Sequence, residues 1–199
     1  MSFGEVTSSS EDAFDDYLDA VLIGGREERE LILVDYLPMW ATRFASERVR
    51  ILEALGEVVR RVEHVGSTAV PGLVAKPIVD ILVAVDDPDD EDGYLDAMER
   101  TGYELRVREP GHRMFRTPER DVHVHVWRVG SEDERRHLLF RDWLRQAPDD
   151  RALYESVKLR LVGERFTDMN YYARAKGPVI EEIMRRAAAW AAQADAQAT

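Results

Sequence analysis

Cysteine is absent from all 199 residues. Its absence excludes disulfides, thiolate catalysis and every Cys-ligated zinc or iron–sulfur site, and leaves His, Asp and Glu as metal ligands. No apolar run approaches the roughly 20 residues that a membrane helix needs. The first residues hold Ser8, Ser9, Ser10 and then acids, rather than the basic and apolar regions of an export signal, so a cytoplasmic protein without membrane attachment is expected. Positive charge is scarce: 27 Lys+Arg stand against 39 Asp+Glu, a formal charge of −12, with an isoelectric point near 4.9. A general nucleic-acid binder draws its affinity from neutralising phosphates, so this balance argues against one while leaving room for a local basic pocket. Lysine is scarcer still, with only Lys76, Lys158 and Lys176 among the 27 basic residues. A GC-rich genome accounts for that bias, yet each surviving lysine then marks a position where a compact ammonium serves and a guanidinium does not.

What is present describes a globular chain, with 45% hydrophobic and 33% charged residues and a mean hydropathy of −0.39. The length suits one domain with a sizeable core, or a domain plus a short flank. Residues 1 to 26 are Ser-rich and then acidic, and are read as a flank, either partly disordered or forming a short amphipathic helix capped by Ser10. Leu31 to Tyr36 reads as a strand or an extended lead-in. Pro38 suits the first turn of a helix through Trp40, Phe44, Ile51 and Leu55.

Val58 to Val65 and Pro77 to Val85 read as strands, the second so uniformly apolar around Asp80 that it belongs inside a covered sheet. The acids from Asp86 to Asp92 read as a solvated loop before a helix from Tyr94 to Thr101. Further strands are expected at Tyr103 to Arg108, Arg113 to Thr117 and Asp121 to Val129. The last alternates cleanly, with His123, His125 and Trp127 on one face and Val122, Val124 and Val126 on the other. Three helices are expected to close the chain, after Ser131, after Pro148 and after Asp168 to about Ala192. The expected architecture is α+β, a mixed β-sheet with flanking helices and a C-terminal helical region, in one domain over residues 27 to 199. Trp40, Phe44, Phe140, Trp143 and Tyr154 fall at helical spacing as core positions. The Trp40 and C-terminal helix faces suit a homodimer equally well.

Two constellations can carry chemistry. Gly66-Ser67 follows a strand, and such a turn lets backbone N–H groups and a hydroxyl approach a phosphate closely. Asp80 on the next strand can hold a divalent metal against that phosphate, or can be a buried acid paired with Lys76. The turn is not a Walker A loop, because Leu73-Val74 stands where Lys-Ser/Thr is required. The second constellation is His123-x-His125, with His112 and Arg113 one hairpin away. Histidines at this spacing on a strand bind metal or phosphate, or simply hydrogen-bond solvent and neighbouring carboxylates. His64 precedes the turn and is within reach of it, whereas His137 reads as packing. Tyr171, Tyr172, Lys158, Lys176 and Arg141 lie on helices that fold back over the sheet, and can line a phosphate pocket or face solvent.

The string His64-Val65-Gly66-Ser67-Thr68-Ala69-Val70-Pro71-Gly72-Leu73-Val74-Ala75-Lys76-Pro77-Ile78-Val79-Asp80-Ile81 resembles the signature of the GrpB family, a branch of the nucleotidyltransferase superfamily. Gly102-Tyr103, His112-Arg113-Met114-Phe115, His123-Val124-His125-Val126, and Phe140 to Arg145 leading to Tyr154 and Lys158 match it in order, as does a closing Tyr172-x-x-x-Lys176. The resemblance covers about residues 30 to 186. It implies a minimal nucleotidyltransferase fold in which a Gly-Ser turn and a strand bearing Asp-x-Asp/Glu hold two Mg²⁺ ions and a nucleoside triphosphate. Gly66, Ser67 and Asp80 map onto that pattern, but Leu82 stands at the second acid. On the later strand, where that superfamily usually places a third acid, this sequence bears His123 and His125, and a rebuilt site is expected. Asp80, His123 and His125 would hold one divalent ion, Mg²⁺, Mn²⁺ or Zn²⁺. Asp80 and His125 would act in catalysis, and Gly66, Ser67, Lys76, Arg113, Lys158 and Lys176 would bind the nucleotide. Relatives fused to dephospho-coenzyme A kinase associate the family with nucleotide or coenzyme A metabolism. Two activities follow: nucleotidyl transfer to a small molecule or protein, or binding of a nucleotide or coenzyme A-like molecule without turnover.

Overall fold

The computed structural model describes residues 5–197. Strands β1 (Arg61–Val65), β2 (Val79–Val85), β3 (Glu104–Glu109), β4 (His112–Arg116) and β5 (Val122–Arg128) form one mixed sheet in the order β1-β2-β5-β4-β3. Every neighbouring pair is antiparallel except β2 and β5, which run parallel. The apolar strand β2 thus lies inside the sheet between β1 and β5, where both faces are covered.

One face of the sheet carries Val79, Ile81, Val83 and Val85 of β2, Val122, Val124 and Val126 of β5, and Phe115 of β4. They pack under α2 (Met39–Leu55), through Trp40, Ile51 and Leu55, and under α3 (Leu95–Arg100), through Met98. Trp40 is therefore part of the main core, as its helical spacing predicts. The opposite face carries Asp80, Leu82 and Ala84 beside His123, His125 and Trp127. Helices α4 (Glu132–Gln146), α5 (Pro148–Leu161), α6 (Met169–Ala175) and α7 (Gly177–Gln197) gather on that side. There Val70, Leu73, Leu144, Tyr154, Val179 and Ile183 make a second core.

Local signals explain most boundaries. Ser131 accepts from the Glu134 N–H at 3.2 Å and caps α4, Pro148 opens α5, and Gly102, at φ +88°, ends the stretch after α3. Val34 is bridged to Ala75 by two 2.9 Å hydrogen bonds, so the 31–36 run is an extended lead-in rather than a strand of the sheet.

Four expectations are corrected. The first helix, α1, spans Glu5–Val21, so Ser10 lies inside it rather than at its cap. The 58–65 strand begins only at Arg61, after a 3₁₀ turn at Gly56–Val58. The single helix expected after Asp168 is two, because Pro178 lacks the N–H that a continuous helix needs and instead sits in the first turn of α7. The acids from Asp86 to Glu91 are not merely solvated. Arg60 binds Asp86, Arg128 binds Asp87, and Arg108 and Arg113 bind Glu91. Among the described residues no helix is long and apolar enough to cross a membrane.

Because Phe115 is wholly enclosed in the main core, Phe115→Ala is expected to cost about 3–5 kcal/mol in urea unfolding. Arg108→Gln, which breaks a pair whose arginine is half exposed, is expected to cost no more than about 1 kcal/mol.

Candidate functional site

The parallel register of β2 and β5 sets Asp80 opposite His123 and Leu82 opposite His125. Residues on one face of adjacent strands meet side by side, so one carboxylate and two imidazoles converge. Asp80 Oδ1 lies 3.7 Å from His123 Nδ1 and 3.9 Å from His125 Nε2. The three ligand atoms all lie within 4.8 Å of one another. Tetrahedral bonds of about 2.0–2.1 Å place donor atoms roughly 3.4 Å apart, so each histidine would close on Asp80 by a few tenths of an ångström to share one divalent ion with it.

The electrostatics favour the ligating forms. Burial raises the Asp80 carboxyl, but the His125 contact and the fields of His123, His125 and Lys76 outweigh it and hold the group at about 2. Desolvation lowers His123 to about 4 against the pull of Asp80. An ionised carboxylate and a neutral imidazole are the states a metal requires.

Gly66 closes the other side of Asp80. Its φ is +70°, and a Cβ built on it would stand 2.3 Å from Asp80 Oδ2. Only glycine fits there, for backbone conformation and for space alike. Ser67, next in the chain, lies 3.3 Å through its hydroxyl from the Lys158 ammonium.

All three lysines of the protein line the same cavity, of about 370 Å³, together with Gly66, Ser67, Asp80, His123 and His125. Lys158 is 1% exposed, donates also to the Val74 carbonyl, and lies 4.9 Å over the Tyr154 ring. Lys76 and Lys176 stand 5.2 and 4.4 Å from the centre of the Tyr172 ring. Among the described residues none of the three forms an ion pair with a carboxylate. Desolvation lowers Lys158 to about 7, helped by Lys176. It likewise lowers Lys76 and Lys176 to about 8. Arg29, Arg106 and Arg116 add to the cationic wall, and Glu27 and Asp168 join Asp80 as its acids.

Arg113 does not belong to this group. Strand alternation turns it to the face opposite His112, where Asp89 holds it at 3.0 Å and Glu91 takes its Nε. The arginine that β4 offers the cavity is Arg116, Cα partner of His123. The alternation rule applied to Asp121–Val129, extended to β4, selects Arg116 over Arg113. Arg29 and Arg106 gave no comparable signal.

His64 also turns away, bonding Thr68 Oγ1 at 3.0 Å and stacking on Phe44. His137, read from the sequence as packing, reaches the cavity with its ring 6.3 Å from His125. Tyr172 lines the cavity, whereas Tyr171 bonds Asp15, and Arg141 is taken by Glu63, Asp142 and the His64 carbonyl. Leu82, at the second acid position, is buried with Val65 and Ala84 against Trp127 and Leu138. No second metal carboxylate is built there.

The GrpB protein family model matches residues 30–186. The chain belongs to the GrpB family. A UPF0157 protein of Streptomyces coelicolor is 54% identical over 92% of this chain and 98% of its own length. The crystal structure of the conserved protein GrpB from Enterococcus faecalis is 31% identical, superposes with a TM-score of 0.63, and is matched over 76% of this chain and 98% of that one. A dephospho-CoA kinase of Mycobacterium leprae is 30% identical over 80% of this chain, which spans about half (47%) of that enzyme. The α+β mixed sheet described above is thus shared within the family.

Gly66→Ala and Gly72→Ala separate contact from conformation, since both glycines have positive φ but only Gly66 abuts Asp80. Gly72→Ala is expected to lose about 1–2 kcal/mol for its positive φ, and Gly66→Ala more, because φ +70° with ψ −171° is open essentially to glycine alone and the new Cβ meets Asp80. Only Gly66→Ala should also abolish binding of a divalent ion, read by metal titration beside thermal unfolding.

His64, His112 and His123 are each lowered to about 4, mainly by desolvation. The unfolded chain, whose histidines titrate near 6.5, therefore binds more protons below that pH. Stability of the metal-free protein should fall as pH drops from 6.5 to 4, and a flat urea midpoint across that window would contradict it.

Proposed function

We propose that the protein is a metal-dependent nucleotidyltransferase acting on a small-molecule or protein acceptor. The observation that carries this reading is the convergence of three lysines, none in an ion pair among the described residues, on the cavity that also holds Asp80, His123, His125 and the Gly66-Ser67 turn. A cavity wall where lysines and arginines outnumber the acids, with Lys158 itself buried, suits a polyanion. A triphosphate supplies one whose charges are spaced to meet several cations at once.

In this reading the acceptor oxygen attacks the α-phosphorus, the bond from that phosphorus to the bridging oxygen breaks, and pyrophosphate leaves. Lys76, Lys158 and Lys176 neutralise charge on the phosphates and on the leaving pyrophosphate. Ser67 orients a phosphoryl oxygen, and Gly66 lets the backbone approach it. The ion that Asp80, His123 and His125 would hold supplies Lewis-acid polarisation of a phosphoryl oxygen. Two imidazoles in the donor set suit Mn²⁺ or Zn²⁺ as well as Mg²⁺. His125 serves either as ligand or as the group that takes the acceptor's proton. The cytoplasm, where nucleoside triphosphates are plentiful, is the compartment this reading assigns.

A second reading is favoured by Leu82. With one acid replaced by a buried apolar side chain, the cavity suits a module that binds a nucleotide or a coenzyme A-like molecule without turnover. The name of the M. leprae relative, a dephospho-CoA kinase, is in keeping with that ligand.

Calorimetric titration of the metal-stripped protein with ATP, GTP, CTP, UTP and coenzyme A, each with Mg²⁺, Mn²⁺ or Zn²⁺, tests both. Metal-dependent binding of one triphosphate, weakened in Asp80→Asn, followed by pyrophosphate release when hydroxyl-bearing small molecules and proteins are supplied as acceptors, is the result expected of the enzyme. Binding without release under any metal supports the module. No binding of any of them sinks both readings.

A further inference from the structure

Helix α1 lies upstream of residues 30–186 that match the family model, yet it reaches the candidate metal site through an unbroken line of hydrogen bonds. The Tyr17 hydroxyl donates to Glu109 Oε2. The other oxygen, Oε1, is 2.6 Å from His112 Nδ1. His112 Nε2 is 3.1 Å from His125 Nδ1, and His125 Nε2 faces Asp80 Oδ1.

The chemistry of the donors gives this line one direction. An ionised carboxylate only accepts, so His112 must present Nδ1–H to Glu109. In neutral His112 the other nitrogen is then an acceptor, and His125 must donate to it from Nδ1. His125 is left with its lone pair on Nε2, the atom that faces Asp80. The reverse order would set the bare Nδ1 lone pair of His112 against a carboxylate oxygen at 2.6 Å. Ring packing holds the geometry. His112 lies flat on Trp127 at 3.9 Å and 9°, and its ring is within 6° of parallel to that of His125. Tyr17 is needed because it engages the one Glu109 oxygen that His112 leaves open, so the carboxylate has no free side about which to rotate away.

We propose that Tyr17, Glu109 and His112 are positioning residues that lock the His125 tautomer, making α1 a working part of the site. The use made of that lock rests on the metal-site reading above; the lock itself does not. The same arrangement, a carboxylate fixing a histidine that bears on the metal, tunes affinity in known metal sites by about 10–100-fold.

The test reads the tautomer directly, in metal-free protein, by long-range ¹H–¹⁵N correlation of the histidine side chains at neutral pH. Wild type should show His125 as the Nδ1–H form. Tyr17→Phe, at a site with its side chain half in solvent, and Glu109→Ala should each shift His125 toward the Nε2–H form, Glu109→Ala the further. Zn²⁺ affinity should fall in the same order, by about 10-fold or more for Glu109→Ala. An Nε2–H form in wild type, or a tautomer that neither variant moves, overturns the proposal whatever the metal does. A purely structural role for Tyr17 would lower the unfolding midpoint and leave the tautomer as it was. If wild type binds no metal but its locked tautomer is lost in both variants, the lock stands and the metal reading fails.

Discussion

An ionised carboxylate within an apolar interior strand is costly unless its surroundings answer the charge, and Asp80 of β2 sets that constraint for half of the molecule. β5 sets His123 and His125 beside it through the parallel register, where they would share a cation with it. The 66–67 turn answers it with a glycine that leaves room for the carboxylate. Lys76 contributes its field from the segment before the strand. The balance tips further at the cavity wall, where Lys76, Lys158, Lys176, Arg29, Arg106 and Arg116 outnumber Glu27, Asp80 and Asp168. A protein of net charge −12 thus encloses a positive hollow. The sign of the molecule's overall charge and that of the cavity wall are opposed, the contrast on which the proposed polyanion site rests.

The fold was legible where one signal dominated. The alternation of β5, the apolar run of β2 and the helices that follow Ser131 and the Pro148 break rest on local signals, and each appears in place. Errors arose where a local rule was applied only halfway or met a tertiary partner. A helix does follow Asp168, which caps it, but the run divides before Pro178 into two helices. The acid run after β2 looked solvated because sequence distance hides that Arg60, Arg108, Arg113 and Arg128 end up beside it.

The site was legible through chemistry more than spacing. The rarity of lysine singled out three positions, the outermost 100 residues apart, and the fold gathers them around one cavity. Arg113 was chosen for its charge and its neighbour, and the strand's alternation sends it to the other face. Arg29 and His137 depend on how α4 and the segment after α1 come to rest on the sheet, and Arg106 on the irregular register of β3 between Leu105 and Val107. No periodicity in the sequence encodes that packing.

The contact between Gly66 and Asp80 bears on timing. With the turn's backbone against Oδ2 and the imidazoles of β5 on the other side, the Asp80 side chain has few rotamers left to it. The loss of rotational freedom that an incoming ion would otherwise impose falls instead on the folding step. On the metal-site reading proposed above, capture would then require little rearrangement of the strand.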